Sequence, residues 1–272
     1  MKIVTSVRYS IIPLGILVLL VLSAVVLPPT ASQDQPGTAG GGSNPGVDPN
    51  VVKALDKMGA YLRTLTAFEV ESTNSTDEVL DTGQKVQFDG TARLQARRPN
   101  RLHAEIKTDR KDREFFYDGK TFTLFGRRVN YYATVPAPAT LRELFTLLAE
   151  RYGIEVPLVD LFLWGSEDNR ASDLRSAIDL GPATVGGTAC EQYALRQEGV
   201  DWQVWIQKGE TPLPRKLVIT TTSDPAQPQY VSVLKWNLTP KLDDAIFSFS
   251  PPEGAMRIVL QTANGQVAQQ AQ

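Results

Sequence analysis

Residues 86–107 read VQFDGTARLQARRPNRLHAEIK. Val86, Phe88, Gly90, Ala92, Leu94 and Ala96 alternate with Gln87, Asp89, Thr91, Arg93, Gln95 and Arg97. After the turn Arg98-Pro99-Asn100 the alternation resumes, with Leu102, Ala104 and Ile106 set against Arg101, His103, Glu105 and Lys107. Successive side chains of a strand point to opposite faces, so a period of two describes strands with one apolar and one solvated side. Such strands belong to an antiparallel sheet that buries a single face.

The same grammar extends in both directions. Upstream, Phe68, Val70 and Ser72 alternate with Glu69, Glu71 and Thr73. Downstream, Asp118-Gly119 marks a hairpin between 115–117 and 122–125, and the sheet continues near 129–134. Further strands are expected at 190–198, 200–207, 215–222, 229–238 and 246–250. Pro212, Pro214, Pro225 and Pro228 fall between these runs, where they interrupt no central ladder. Two stretches change period. Asp48-Pro49 opens a helix, with Asp at the N-cap and Pro at the first helical position, and Val51, Leu55, Met58 and Leu62 share its inner face. Thr140-Leu141-Arg142-Glu143 has capping-box spacing, followed by Leu141, Leu144, Phe145, Leu148 and Tyr152 at helical intervals. The next segment, 156–164 (VPLVDLFLW), is apolar almost all round and must be buried on most sides if helical. The expected fold is α+β and mainly antiparallel β. Its twisted sheet wraps into an unclosed barrel, and an N-terminal helix and an inserted helical pair lid the concave face.

The ends of the chain are of another kind. Lys2 and Arg8 precede an apolar run from Ile11 to Leu27, and small residues follow at Thr30, Ala31 and Ser32. That is the build of a secretory signal peptide over 1–32. An uncleaved inner-membrane anchor is the alternative; the run is short for a span of about 20 residues, which favours cleavage. Residues 33–47 read as a flexible linker, 48–260 as one domain and 261–272 as a polar tail. The expected location is the periplasm.

Composition narrows the chemistry. The 272 residues carry 28 basic and 30 acidic side chains, one Cys and one His. The balance excludes a strongly basic nucleic-acid binder, and the single Cys excludes an internal disulfide. One Cys and one His leave almost nothing for a zinc or iron–sulfur site, and no cofactor is implied. Imidazole catalysis would have to pass through His103, which lies on the polar register of its strand and reads as a solvated surface residue. Cys190 is either a buried small apolar residue or a thiol available for an intermolecular bridge. Gly40-Gly41-Gly42 lacks the Lys-Ser/Thr of a phosphate loop, and Gly186-Gly187 reads as a turn. Residues 85–130 hold twelve Lys and Arg against six acids, a surplus of +6 that leaves −8 elsewhere. This polarisation suits a solvated sheet face, or a patch for anionic headgroups or an acidic envelope protein.

The chain resembles an uncharacterised family of predicted bacterial periplasmic proteins. The first half carries the likeness in Tyr117-Asp118-Gly119-Lys120, Tyr131-Tyr132-Ala133, Arg151-Tyr152-Gly153-Ile154 and Pro157-Leu158. The second half carries it in Val185-Gly186-Gly187, Tyr193, Trp202, Trp205-Ile206, Pro214-Arg215-Lys216, Trp236, Phe247 and Pro251-Pro252. The resemblance implies an architecture similar to the LolA/LolB-like lipoprotein carriers, an unclosed barrel lidded by helices around an apolar cavity. It implies no catalytic residues.

Three classes of function are therefore weighed. The first is a non-enzymatic carrier or binding protein for an apolar ligand (a lipid, acyl chain or lipoprotein) held between the concave sheet face and the 141–164 helices. Its expected lining is Leu144, Phe145, Leu148, Leu158, Leu161, Phe162, Trp164, Trp202 and Trp236. The second is a protein–protein sensor or envelope scaffold built on the same fold, using edge strands and a charged face. The third is a two-carboxylate hydrolase, for which no spacing singles out a pair. Trp205, among polar neighbours, packs under a loop or makes an exposed contact.

Overall fold

A computed structural model describes residues 46–154, 156–159, 162 and 173–263. Helix α1 (Pro49–Thr64) leads into six strands: β1 (Ala67–Val79), β2 (Lys85–Arg97), β3 (Arg101–Thr108), β4 (Asp112–Tyr117), β5 (Thr121–Gly126) and β6 (Tyr131–Pro136). Helix α2 (Leu141–Leu147) interrupts the meander and continues as one π-helical turn, Leu148–Tyr152. Then follow β7 (Ser176–Val185), β8 (Thr188–Gln197), β9 (Val200–Gln207), β10 (Pro214–Thr221), β11 (Gln229–Asn237) and the two-residue β12 (Met256–Arg257). The expected signal peptide, most of the linker and residues 264–272 lie outside the described residues.

All twelve described strands form one sheet, ordered β12-β6-β5-β4-β3-β2-β1-β11-β10-β9-β8-β7. The strands pair antiparallel except for β12, which runs parallel to β6. β12 and β7 stand at opposite ends of this order and do not pair, so the sheet is unclosed. The alternation read in 86–107 sets its inner face. Val70 opposes Leu94 on one side and Trp236 on the other, Leu94 opposes Ala104, and Ala104 opposes Phe115. These residues join one core drawn from both halves of the sheet, with Val51, Met58 and Leu62 of α1 buried against it. Asp48 caps α1 as its sequence required, its carboxylate accepting from the Asn50 N–H at 2.8 Å. The chain is already pinned before the helix, because Val47 bridges Ala177 at the β7 edge.

Four expectations are corrected. Residues 246–250 are not a strand: Asp243 caps a 3₁₀ turn, Asp244–Phe247, and the chain crosses the outer face of the sheet as a strap. The alternation that suggests a strand puts Phe247 and Phe249 on that face, where Phe249 packs on Phe116, Phe125 and Tyr132 at 5.0–5.4 Å. His103 is consequently not solvated but lies half-buried, with its ring 4.8 Å from Phe116. Strand β7 is hidden in the sequence by Gly181-Pro182. The register shifts between Asp179 and Gly181, and an edge strand accepts both the irregularity and the proline. Finally, the helix expected within 156–164 does not begin at its start: residues 157–159 form a turn with Leu158 left-handed (φ 60°), and Phe162, beyond it, is helical.

Candidate functional site: the lidded concave face

The inserted segment is anchored at one end of the concave face. Thr140 closes the capping box: its hydroxyl accepts from the Glu143 N–H and donates to the Glu143 carboxylate at 2.8 Å. The Leu141 N–H bonds to the Pro99 carbonyl at 2.9 Å, tying the start of α2 to the β2–β3 turn. Helical spacing then drives Leu144 and Phe145 into the core, and Leu148 follows on the π turn. Gly153 ends that turn in the left-handed conformation (φ 61°), which a side chain would strain. Leu158 and Phe162 return to the concave face, each half-buried against the core.

Phe162 is the junction between sheet and insertion. Its ring lies 5.0 Å from Phe145 of α2 and 5.5 Å from Phe68 of β1. Phe68 in turn meets Trp236 at 5.6 Å, and the Trp236 indole N–H donates to the Pro214 carbonyl at 2.8 Å. The structure thus brings together Leu144, Phe145, Leu148, Leu158, Phe162 and Trp236 of the expected lining. Leu161 and Trp164 lie outside the described residues. Trp202 shares the core but not this junction. It opposes Ile219, which opposes Tyr230, six residues along β11 from Trp236, or roughly 20 Å at strand rise.

Two residues of the junction escape sequence reasoning. Phe68 reads as core without a link to the insertion, since no spacing connects it to Phe162. Arg98 reads as turn. Its Nε donates to the Leu65 carbonyl at 3.1 Å, and its guanidinium stands 5.0 Å from the centre of the Phe162 ring. Its Nη2 is buried with no hydrogen-bond partner among the described residues, and burial lowers the pKa of the group. Arg98 is thus a cation beside Phe162 whose Nη2 meets no acceptor among the described residues.

Residues 52–261 match the family described as Predicted periplasmic protein (DUF2092). The chain belongs to that family. The family description and the N-terminal export pattern agree on the periplasm. No curated protein matches the chain significantly. Among solved structures, an uncharacterized conserved protein from Thermus thermophilus is similar at 10% identity and a TM-score of 0.44, covering 77% of this chain and 98% of its own. LprF from Mycobacterium bovis is similar at 15% identity and a TM-score of 0.44, with 77% and 99% covered. The LolA superfamily protein NE2245 from Nitrosomonas europaea is similar at 11% identity and a TM-score of 0.31, with 73% and 97% covered.

The outer face of this family member carries polar chemistry of a structural kind. The His103 Nε2 faces the Glu114 carboxylate at 3.3 Å and its Nδ1 faces the Gln95 side-chain oxygen at 3.1 Å. The Gln95 amide donates to Glu69 at 2.6 Å, and Glu69 also receives Arg93. Arg127 closes the other end on Glu114. Burial works against the Glu114 charge, but hydrogen bonds from His103 and Arg127 outweigh it and hold the carboxyl below its ordinary pKa. Each group in this chain is spent on another. Among the described residues no group of three or more His, Cys, Asp or Glu is set to hold a metal ion. On the second half of the outer face, Trp205 is buried beside Cys190 and Val218, with the Lys216 ammonium 4.7 Å from its ring. Of the two readings of Cys190, the buried one holds: its side chain is fully buried.

Proposed function

We propose that this protein binds a lipid or acyl chain in the periplasm, between the concave sheet face and the 141–162 insertion, and does so without catalysing a reaction. The observation that carries this reading is how the core is completed. An unclosed sheet cannot fill its own interior, and here a segment outside the sheet supplies Leu144, Phe145, Leu148 and Phe162 to do so. α2 and its π turn are joined to Phe162 through left-handed positions at Gly153 and Leu158. The stretch beyond Gly153, irregular and only half-buried at Leu158 and Phe162, belongs to the low-stability end of the domain, where it can exchange its own side chains for those of a ligand, while α2 stays seated in the core. The test is mass spectrometry of organic extracts from protein exported and purified from its native envelope. Stoichiometric lipid supports the carrier. A clean extract with a co-purifying protein supports instead a scaffold, for which the exposed Ile178 and Leu180 on the β7 edge are the natural surface.

The same reading gives a place for loading. At the strand end remote from the Pro99–Leu141 tie, a cross-strand row runs Arg113, Gly126, Tyr131, Met256. Val129 lies over Gly126, its Cγ2 3.0 Å from where a Cβ would stand. Val129 is 61% and Met256 54% exposed, and Ile258 continues the apolar edge. The three chain segments meeting there, 107–113, 127–131 and 253–258, hold seven Lys and Arg against three carboxylates. Exposed apolar side chains ringed by cations suit the surface of an anionic bilayer.

A further inference from the structure

Arg98 holds a feature of the concave site that an apolar chain alone does not explain. Turn residues at a sheet rim ordinarily leave a guanidinium in water, where all five donors are satisfied. Here the side chain folds inward. Nε is used on the Leu65 carbonyl, the guanidinium carbon stands 5.0 Å from the centre of the Phe162 ring, and Nη2 is enclosed without an acceptor among the described residues. Arg98 takes part in no ion pair with any described carboxylate, although Arg93 and Arg97 on the strand before it pair with Glu69 and Asp244. A charged donor enclosed without a partner is costly, and a guanidinium does not escape the cost by losing its proton. It is tolerable in a site that an anion occupies, because guanidinium binds carboxylate and phosphate through parallel N–H donors.

We infer that Arg98 recognises the anionic head group of the ligand, so that the protein takes an acidic lipid, a single-chain carboxylate or phosphate, rather than a neutral one. This rests on the proposed carrier function and specifies its ligand class. The head group accepts from Nη2 behind the Phe162 ring, and the chain runs from there over the concave face between Phe68 and Phe145. Arg98 is then a binding residue, and Phe162 the shutter that separates its charge from water.

The test is isothermal titration calorimetry on the exported protein at neutral pH, with dodecanoic acid, dodecyl phosphate and 1-dodecanol as chain-matched probes. Wild type should bind one or both anions at least about tenfold more tightly than the alcohol, the scale of a charge-assisted hydrogen bond. The tighter of the two anions distinguishes a carboxylate from a phosphate ligand. Arg98→Gln keeps much of the stem while removing the charge, and should abolish the anion preference while leaving alcohol binding within about threefold. Arg98→Lys, which keeps the charge and loses the fork, should retain part of the preference. Equal binding of acid and alcohol by wild type overturns this inference and leaves the carrier intact. An equal loss of all three probes in Arg98→Gln overturns it too, by making Arg98 a purely structural residue. Binding of no probe by wild type removes the carrier reading and this inference with it.

Discussion

Phe162→Ala separates a lid from a wall. A fully buried Phe truncated to Ala costs about 3–5 kcal/mol, through lost transfer energy and the cavity left behind. Among the described residues Phe162 makes two ring contacts, at 5.0 and 5.5 Å, and one contact with a guanidinium, yet is only half-buried. Ring pairs are worth about 0.5–1.5 kcal/mol each beyond area, and the cation contact about 0.5–1 kcal/mol. Those gains are realised only while the segment is docked. If it detaches locally before the sheet unfolds, the loss seen in global unfolding cannot exceed the free energy of detachment. The expected cost of Phe162→Ala is therefore below about 2 kcal/mol by urea denaturation, with unchanged m. Binding of a fluorescent fatty acid should weaken in the same variant. Phe145, 5% exposed and seated by α2, should behave as core and lose about 3–5 kcal/mol. Phe88 is a poor control, since it lies half-buried near a strand end with the Arg110 guanidinium 4.0 Å from its ring. Leu94, with 0% exposure at the centre of the sheet, is the proper one and should lose about 2–5 kcal/mol on truncation to Ala. A loss of about 4 kcal/mol for Phe162→Ala, matching Leu94→Ala, with no probe binding by wild type, would refute the lid.

Three further outcomes are expected. The Glu114 carboxyl titrates below its ordinary 4.5 in the folded protein, so its contribution to stability is present above that value and lost as pH falls through the folded one. Glu114→Gln should cost about 1–3 kcal/mol at neutral pH, and thermal melts of variant and wild type should converge as pH drops below 4.5. Burial raises the Cys190 thiol pKa and closes it to solvent, so a disulfide reagent should leave it unmodified in native protein and react fully in denaturant. Val129→Asp with Met256→Asp should lower cosedimentation with phosphatidylglycerol vesicles, and the pair Ile178→Asp and Leu180→Asp, on the other sheet edge, should not; an equal effect of both pairs would dismiss the loading edge.

The central sheet was legible because its signal is local and repeated. In 86–107 every second residue reports the same face, and the pairing of Leu94 with Ala104 follows from the alternation and the turn at Arg98-Pro99-Asn100. The capped helices were legible for the same reason, since Asp48 and Thr140 act on residues two and three positions away. What failed were the places where a distant element decides. Alternation in 246–250 is compatible with a strand, but the outer face offered Phe116, Phe125 and Tyr132 to bury Phe249. His103 changed from solvated to half-buried through the same strap. In β7 the Gly181-Pro182 pair reads as a breaker until the strand is known to be an edge.

The site divides along the same line. Leu144, Phe145 and Leu148 could be named because helical spacing alone puts them on one face, and that face found the sheet. Arg98 could not, since its role comes from three groups with no sequence relation to it: the Leu65 carbonyl, the Phe162 ring and the enclosure of its Nη2. An apolar pattern announces itself by period, whereas a single buried charge has no period and is visible only once its surroundings are assembled. In the proposed site the apolar contacts would hold a chain. The Arg98 donor, without a partner among the described residues, would decide which chain, because a missing polar partner discriminates between ligands far more sharply than one more methylene does.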